Sequence, residues 1–548
     1  MANWNPQANE LFLQALELPS AQERQTFGYR QVYTDQAYRV VARKPERSSL
    51  TAGRARPGGT VRPRVRPPRP VCLRQLLAFS EGLLVAFSEV LDKFVTETPW
   101  CVMARGLLES AFAPDKLNSL FEENACSQNT RKLLFSTTVD IMAAVVCRIR
   151  RSVNAAAVQL KNHDLLPVSV DAVYDKLDRV ETQTSAALVR HTAVEAAAVL
   201  EQLHAPPLVL LKGYDVRIVD GNHPEGTEHR LGILRDVGGG ALPGVVLAVF
   251  NPQTQLLEEV VLSEYAYTQE SRLLEPLLER LRARQLWLAD RHYCASSILF
   301  KIASKGAFFL FRQHLGRLRW RLVGERRYCG RSETGKVYEQ EMILINPDTE
   351  EELKVRRITV ELDKATRDGD QELHVLSNVP AADASAAELA ELYRQRWQLE
   401  TVFATLTVYL RCEPKTLGYP KAALFAFCVA IACYNLLGAM LGAVRAVHGE
   451  AEEEKVSMYA VADELAMTYR GMDIAVPDGD WEVFRTADAA TLAALLKEIA
   501  ARMTVSHYHK YPSQPKKSRK TTRKLNAATH FSTHRLLHPE LYPAKGDP

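Results

Sequence analysis

The spacing of apolar residues changes along the chain and divides it into regions. Between residues 73 and 205, apolar side chains recur three and four positions apart, in runs such as CLRQLLAFSEGLLVAFSEVLDKF and PDKLNSLFEENA. This period is typical of amphipathic helices. Ser169 precedes a further run of this kind and is a candidate N-cap. The pattern predicts a helical domain over residues 73–205.

A different pattern begins at residue 206. Three β-rich runs, DVRIVDG, GVVLAVFNPQ and QLLEEVVLSE, precede the amphipathic segment SRLLEPLLERLRA, which predicts a helix. The apolar strand QLWLAD, a helix and the strand AFFLFRQ follow. The turn residues NPQTQ between the second and third runs indicate a hairpin. Strands followed by alternating helices and strands predict a mixed α/β layer.

Polar, strand-like runs interrupt this layer over residues 315–380, and SAAELAELYRQRWQLETVFATLTVYL then returns to a helical period. The sequence therefore predicts an α/β core formed by residues 206–314 and 381–447, separated by a β-rich insertion. Residues 448–548 are expected to form a C-terminal helical region with a basic tail.

One apolar stretch, Ala422 to Val444, carries no charge and is long enough to span a bilayer. It is rich in alanine, contains Tyr434 and Asn435, and is the only segment of its kind in the sequence. We therefore expect a buried core helix rather than a membrane span.

Charge is distributed in local clusters. The net charge is only +4 over 548 residues, so any nucleic-acid surface must come from clustering. Residues 43–72 are rich in Arg and Pro and predict a basic, disordered linker, while residues 1–42 predict a short helical segment of unclear relation to the rest. A second basic cluster lies near the C-terminus and is a candidate DNA contact; it contains Lys516, Lys517, Arg519 and Lys520.

The nine cysteines are odd in number and form no C-x-x-C pair. This argues against a disulfide framework and a standard zinc site, and favours a reducing compartment. The N-terminus has no basic flank followed by an apolar core, so a cytoplasmic location is expected.

Three carboxylates stand where apolar elements end or turn. Asp220 and Asp290 follow apolar strand runs, and Glu400 lies on the helix beyond the insertion. Hard divalent cations prefer oxygen ligands, and two such ions can hold both oxygens of a phosphoryl transfer. Asp215 is an alternative first ligand, and with 65 acidic residues the spacing alone does not select one triplet.

Tyr393, Arg396 and Glu400 in the segment YRQRWQLE are spaced to share one face of a single helix. A solvated charged face and a functional face both explain this spacing. Trp397 falls off that face and is expected in the core.

Four ordered segments resemble the DDE transposases of insertion sequences, specifically the IS-four family. They are RIVDGNHPEGTEHRL, LWLADRHYCA, YRQRWQLE and TLGYPKAALFAFCVAIACYNLL. The third resembles the family signature Tyr-x2-Arg-x3-Glu-x6-Lys, and the resemblance extends over residues 73–540. It implies an RNase H-like fold with a β-rich insertion before the glutamate helix, preceded here by the helical domain.

The resemblance implies that Asp220, Asp290 and Glu400 bind Mg²⁺, with Mn²⁺ as an alternative. It implies that Tyr393 and Arg396 contact DNA.

Other positions carry weaker implications of the same family. Arg291, in the Asp-Arg pair of the second segment, is a candidate DNA contact. Trp320 in the insertion is a candidate for stacking on a flipped base, with ordinary packing as the alternative. The final signature lysine is replaced by Thr407, and Arg411 or Lys415 is an alternative source of that positive charge.

The activity implied is metal-dependent cleavage of transposon ends and their joining to target DNA. The implied partners are double-stranded DNA, as terminal inverted repeats and target, and a second copy of the chain on that DNA; no membrane partner is expected. The alternatives are a decayed or domesticated transposase that binds DNA without cutting, and an RNase H-like nuclease without strand transfer.

Overall fold

The computed structural model describes residues 87–128, 132–204, 208–224, 231–234, 240–314, 316, 318–366, 369–511 and 530–542. Residues 1–42, residues 43–72 and the four basic residues Lys516, Lys517, Arg519 and Lys520 lie outside the described part, so the predictions made for them stay predictions.

Within the described residues, seven helices precede the first strand. They are α1 (Glu89–Glu97), α2 (Pro99–Ala111), α3 (Pro114–Asn124), α4 (Phe135–Val146), α5 (Val153–Asn162), α6 (Val170–Leu177) and α7 (Thr182–Gln202). Their starts follow local sequence signals, because proline begins α2 and α3 and serine side chains cap α1, α5 and α6. Ser169 is the N-cap of α6, as the sequence predicts.

Five strands form the first part of a nine-stranded sheet. They are β1 (Asp215–Asn222), β3 (Val245–Asn251), β4 (Leu256–Ser263), β5 (Gln285–Ala289) and β6 (Phe308–Arg312), arranged in the order β4-β3-β1-β5-β6. The predicted hairpin is present as the antiparallel pair β3–β4. β1, β5 and β6 run parallel to one another, and β3 is antiparallel to β1.

The polar strand-like runs form four strands that extend this same sheet, three of them longer than any strand of the first part. They are β7 (Arg319–Ser332), β8 (Gly335–Ile345), β9 (Glu352–Leu362) and β10 (Glu372–Ser377). β10 pairs with β6, and the order continues β10-β9-β8-β7. The insertion is therefore joined to the core by backbone hydrogen bonds.

Short helices connect the strands of the first part. They are α8 (Glu270–Leu273), α9 (Glu275–Glu279) and α10 (Ser296–Ser304). The segment SRLLEPLLERLRA was predicted as one helix, but it forms two short helices, and Pro276 lies at the start of the second. Proline is tolerated in a first helical turn and not in a helix interior.

The remaining helices follow the insertion. They are α11 (Ala386–Arg394), α12 (Trp397–Val408), α13 (Pro420–His448), α14 (Glu450–Glu453), α15 (Met458–Ala475), α16 (Glu482–Arg485), α17 (Ala489–Ala501) and, after a gap in the described residues, α18 (Thr533–Leu537). A small second sheet pairs β2 (Gly240–Leu242) with β11 (His530–Ser532).

The two faces of the sheet are covered by different helices. Val216, Ile218, Leu286 and Leu288 belong to a core shared with the N-terminal and C-terminal helices. Odd-numbered residues of these strands, such as Val219, pack with α8 to α10 on the other face. Because side chains alternate along a strand, even-numbered positions of β1 and β5 face the large helical layer. The fold is thus a mixed α/β arrangement with a large sheet and many helices.

Helix α13 is the predicted core helix. It is the one helix among the described residues that is long and apolar enough to cross a membrane, and 83% of its most apolar window is buried inside the protein. Asn435 on this helix is fully buried, and its side chain bonds both to the amide and to the carbonyl of Leu257, at 2.9 Å each. Because buried polar groups need hydrogen-bond partners, these two bonds fix the position of α13 against β4.

The segment YRQRWQLE is not one continuous helix. α11 ends at Arg394, and α12 begins at Trp397 with Arg396 as its N-cap residue. The prediction that Trp397 lies in the core is wrong, since its exposed fraction is 65%. The break at residues 395–396 turns the tryptophan outward while Leu399 and Val402 of the same helix remain buried.

Candidate active site

Two aspartates occupy equivalent positions on neighbouring parallel strands. Val219 of β1 pairs with Ala289 of β5, so Asp220 and Asp290 come next in the same register. Both continue the even-numbered series that faces the large helical layer. The side chain of Asp220 accepts a hydrogen bond from the Gly221 amide at 2.9 Å, and that of Asp290 accepts one from the Arg291 amide.

Arg396 joins the first aspartate to the glutamate beyond the insertion. Its Nη1 lies 2.9 Å from Asp220 Oδ2, and its Nη2 lies 2.7 Å from Glu400 Oε1. The arginine side chain is 12% exposed. One guanidinium therefore holds together a strand residue and a helix residue that are 180 positions apart in the sequence.

Burial and neighbouring charges act in opposite directions on Asp220. Burial raises the pKa of its carboxyl to about 6, the Arg396 guanidinium opposes this rise, and Glu270 and Asp290 add to it. The neighbouring acids disfavour the ionised form of Asp220, and a cation bound beside it would favour that form.

Glu270 and Tyr293 are members of this cluster that the sequence analysis did not find. The Tyr293 hydroxyl donates to Glu270 Oε2 at 2.8 Å, and the ring is fully buried. A Cβ at Gly221 would lie 2.4 Å from the Glu270 carboxyl carbon, so glycine is needed there for this close approach. Burial raises the pKa of Tyr293 far above its usual range, so its hydroxyl remains a donor. No spacing rule links these residues in sequence.

Tyr393 lies beneath the site rather than on its surface. It is 7% exposed, and its hydroxyl donates to the Ala289 carbonyl, at 3.5 Å. Burial raises the pKa of its hydroxyl well above the usual range. This hydrogen bond links the end of α11 to the last residue of β5, which Asp290 directly follows.

The other residues singled out in the sequence lie in different surroundings. Asp215 pairs with the buried Arg217, which also contacts Glu258 at 2.6 Å, so its carboxylate serves an ion pair at the start of β1. Trp320 is partly buried and packs against the core beneath the insertion. Arg291 is half-buried on the turn after Asp290.

The donor set suits a hard divalent cation, because Asp220, Asp290 and Glu400 supply only carboxylate oxygens. Within the described residues, however, no three His, Cys, Asp or Glu side chains are grouped closely enough to hold a metal ion together. Arg396 supplies the positive charge between Asp220 and Glu400 in this structure.

Residues 211–436 match the family model described as "Transposase DDE domain". This segment is similar to a transposase DDE domain. The match covers less than half of the chain, and it includes Asp220, Asp290, Arg396 and Glu400. Transposase DDE domains generally use divalent metal ions.

A comparison with solved structures gives a more distant likeness. The chain resembles one titled "Cryo-EM structure of piggyBac transposase synaptic complex with hairpin DNA", with 11% identity, 69% of this chain and 82% of that chain covered, and a TM-score of 0.34. No curated protein sequence matches this chain at a significant level. The resemblance to the IS-four family stays a prediction.

Proposed function

We propose that this protein is a transposase that cleaves transposon ends and joins them to target DNA. The observation that carries the proposal is the Arg396 bridge, which joins Glu400 of α12 to Asp220 of β1. Asp290 directly follows β5, the neighbouring parallel strand. The match of residues 211–436 to the DDE domain supports the same activity. The strand order β4-β3-β1-β5-β6 supports an RNase H-like core.

In this proposal Asp220, Asp290 and Glu400 hold a divalent cation, Mg²⁺ or Mn²⁺. When bound, the cation would activate an attacking hydroxyl and neutralise charge on the phosphate. Arg396 would release its carboxylates and grip a DNA phosphate with both of its terminal nitrogens. Tyr393, through Ala289, would keep the second aspartate in register.

The same proposal assigns roles to the rest of the chain. The helical domain, residues 73–205, and the basic cluster from Lys516 to Lys520 would bind the ends through salt-sensitive phosphate contacts. Two copies of the chain would act together on double-stranded DNA.

The decisive experiment is a nicking assay on the DNA ends that flank the reading frame, with and without MgCl₂. Wild type should nick only with the metal, whereas Asp220→Asn, Asp290→Asn and Glu400→Gln should each lose activity by at least about 100-fold while still folding. Asp215→Asn is the matched control on the same strand and should stay active. Loss of activity in that control together with retention in Asp220→Asn would overturn the assignment of the first ligand.

Thr407 favours a second candidate, a protein that binds DNA ends without cutting them, because the signature lysine is absent there. Metal-independent binding with no nicking by wild type would identify this case. Nicking without joining to a target duplex would identify a nuclease.

A further inference from the structure

The end of α12 lies against a loop of the N-terminal helical layer. Arg148, just after α4, donates from Nη2 to the Val408 carbonyl at 2.6 Å. In return, Arg411 donates from its amide to the Val146 carbonyl at 2.8 Å and from Nη1 to the Arg151 carbonyl at 2.6 Å. Two segments 260 residues apart are thereby fixed to each other.

This junction concentrates positive charge. The partners of the Arg148 and Arg411 side chains are backbone carbonyls, and neither guanidinium has a carboxylate partner within the part of the chain that the structure describes. Arg151 and Lys415, both exposed, add two further cations, against one acid, Glu413, in the loop that follows α12. Burial, and after it the charge of Arg148, holds the pKa of Arg411 below its usual value. Like charges kept together in this way favour a bound anion.

The junction stands close to the position where the signature lysine is missing. Thr407 is exposed and adjoins Val408, the residue whose carbonyl Arg148 contacts. The Thr407 hydroxyl donates to the Phe403 carbonyl at 3.0 Å, so it is engaged within its own helix. Since α12 contains no lysine or arginine, a positive charge beside Thr407 must come from a side chain of another segment.

The helix between the two sites offers a path for a DNA strand. From Glu400 to Val408 the helix rises about 12 Å, which corresponds to three or four nucleotides along one strand at about 3.4 Å each. Glu400 is the only charged residue of α12, and Thr401, Ala404 and Thr407 are exposed along it. Beyond Glu400, α12 therefore places no negative side chain along this path.

We propose that Arg148 and Arg411 form a phosphate-binding site for the DNA strand that enters the carboxylate cluster, and that they supply the cation that Thr407 lacks. This inference rests on the proposed function. It assigns a DNA contact to the helical layer, through a residue outside the segment matched by the DDE domain.

The test is the salt dependence of affinity for the same DNA end, measured for wild type, Arg148→Gln, Arg148→Lys and the double variant Arg148→Gln/Thr407→Lys. One lost phosphate contact should flatten the log–log slope by about 0.9, so the affinity advantage of wild type should shrink about 3-fold between 50 and 200 mM salt. Arg148→Lys should keep the wild-type slope. The double variant should regain it, because a lysine at 407 points to the same phosphate.

Lys364→Gln is the control, since it removes an equal charge from an exposed position between β9 and β10 and should leave the slope unchanged. A purely structural role for Arg148 would lower the unfolding midpoint of Arg148→Gln without rescue by Thr407→Lys. An unchanged slope in Arg148→Gln, in a protein that still binds the end, would overturn this inference alone. A wild type that neither binds nor cleaves the end would overturn the proposed function.

Discussion

At the scale of single residues, Arg396 acts as the cation of the candidate site. Its two contacts at 2.9 and 2.7 Å place one positive charge between two acids that would otherwise repel each other. The guanidinium and a metal ion would compete for the same oxygens. In the proposed function, the arginine would therefore link the stability of the metal-free protein to its affinity for the metal ion.

Arg396→Gln should lower the free energy of unfolding of the metal-free protein by about 3 kcal/mol, because two partly buried carboxylates lose their cation. Excess MgCl₂ should stabilise this variant more than wild type, since no guanidinium competes with the metal. Chemical denaturation with and without MgCl₂ measures both effects. Arg394→Gln removes an exposed pair with Glu391 and should cost less than about 1 kcal/mol. Equal stabilisation of wild type and Arg396→Gln by MgCl₂ would contradict the competition.

A second residue, Glu464, makes the free energy of unfolding depend on pH. It accepts hydrogen bonds from the Tyr508 hydroxyl at 2.5 Å and the Cys101 amide at 3.0 Å. Burial raises the pKa of Glu464 from 4.5 to about 7, and these hydrogen bonds oppose the rise. Between those two pH values the folded protein holds a proton that the unfolded chain has lost, so stability falls as the pH rises through this window.

Glu464→Gln should therefore match wild type near pH 4 and exceed its free energy of unfolding by about 3 kcal/mol at pH 8. Denaturant titrations of both proteins across this range provide the measurement. A difference that stays constant with pH would show that Glu464 titrates alike in the folded and unfolded states.

At the scale of elements, α13 is tied to the first strand of the sheet order by Asn435. Its amide side chain completes both backbone hydrogen bonds of Leu257 on β4. At this one position, the side chain of Asn435 takes the hydrogen bonds that the backbone of a further strand would otherwise make with β4.

Asn435→Leu should lower the free energy of unfolding by about 3 kcal/mol, because a buried N–H and a buried C=O of Leu257 both lose their partner. The control is Gln398→Leu on α12, which removes a partly exposed amide side chain and should cost less than about 1 kcal/mol. Hydrogen exchange at Leu257 gives a local readout, and an amide still protected in Asn435→Leu would contradict the assignment.

Much of the sheet could be predicted from the sequence, because its strands appear as β-rich runs, and Asp220 and Asp290 stand at the ends of two of them. The choice of Asp220, Asp290 and Glu400 among the 65 acidic residues comes from the family resemblance and not from their spacing.

The helix break at residues 395–396 could not be predicted, since no glycine or proline marks it. The outward position of Trp397 follows from that break and from no local preference. Arg148 could not be found either, because its role depends on packing between segments distant in sequence.

At the scale of the whole molecule, α1 is the first helix of the described residues, and its start is held by contacts within the described part of the chain. Ser88 caps α1 through the Leu91 amide and also contacts Asp480, so the first helix is anchored at its start. The basic linker, residues 43–72, has few apolar residues and is therefore not expected to add to the hydrophobic core.

Deletion of residues 1–70 should therefore leave the unfolding midpoint and the rate of Mg²⁺-dependent nicking unchanged within about twofold. Thermal unfolding and the nicking assay on the same preparation check the two parts separately. Loss of nicking by a deletion variant that still folds would show that the removed arm belongs to the DNA site.

The continuous sheet also limits how two copies of this chain can meet. One border strand, β4, has its backbone at Leu257 occupied by Asn435, and the other, β7, carries charged side chains including Arg321 and Arg327. Charged and covered borders resist the addition of a strand from another molecule. Self-association would then leave the sheets of the two copies separate, so any contact between copies is expected away from both border strands.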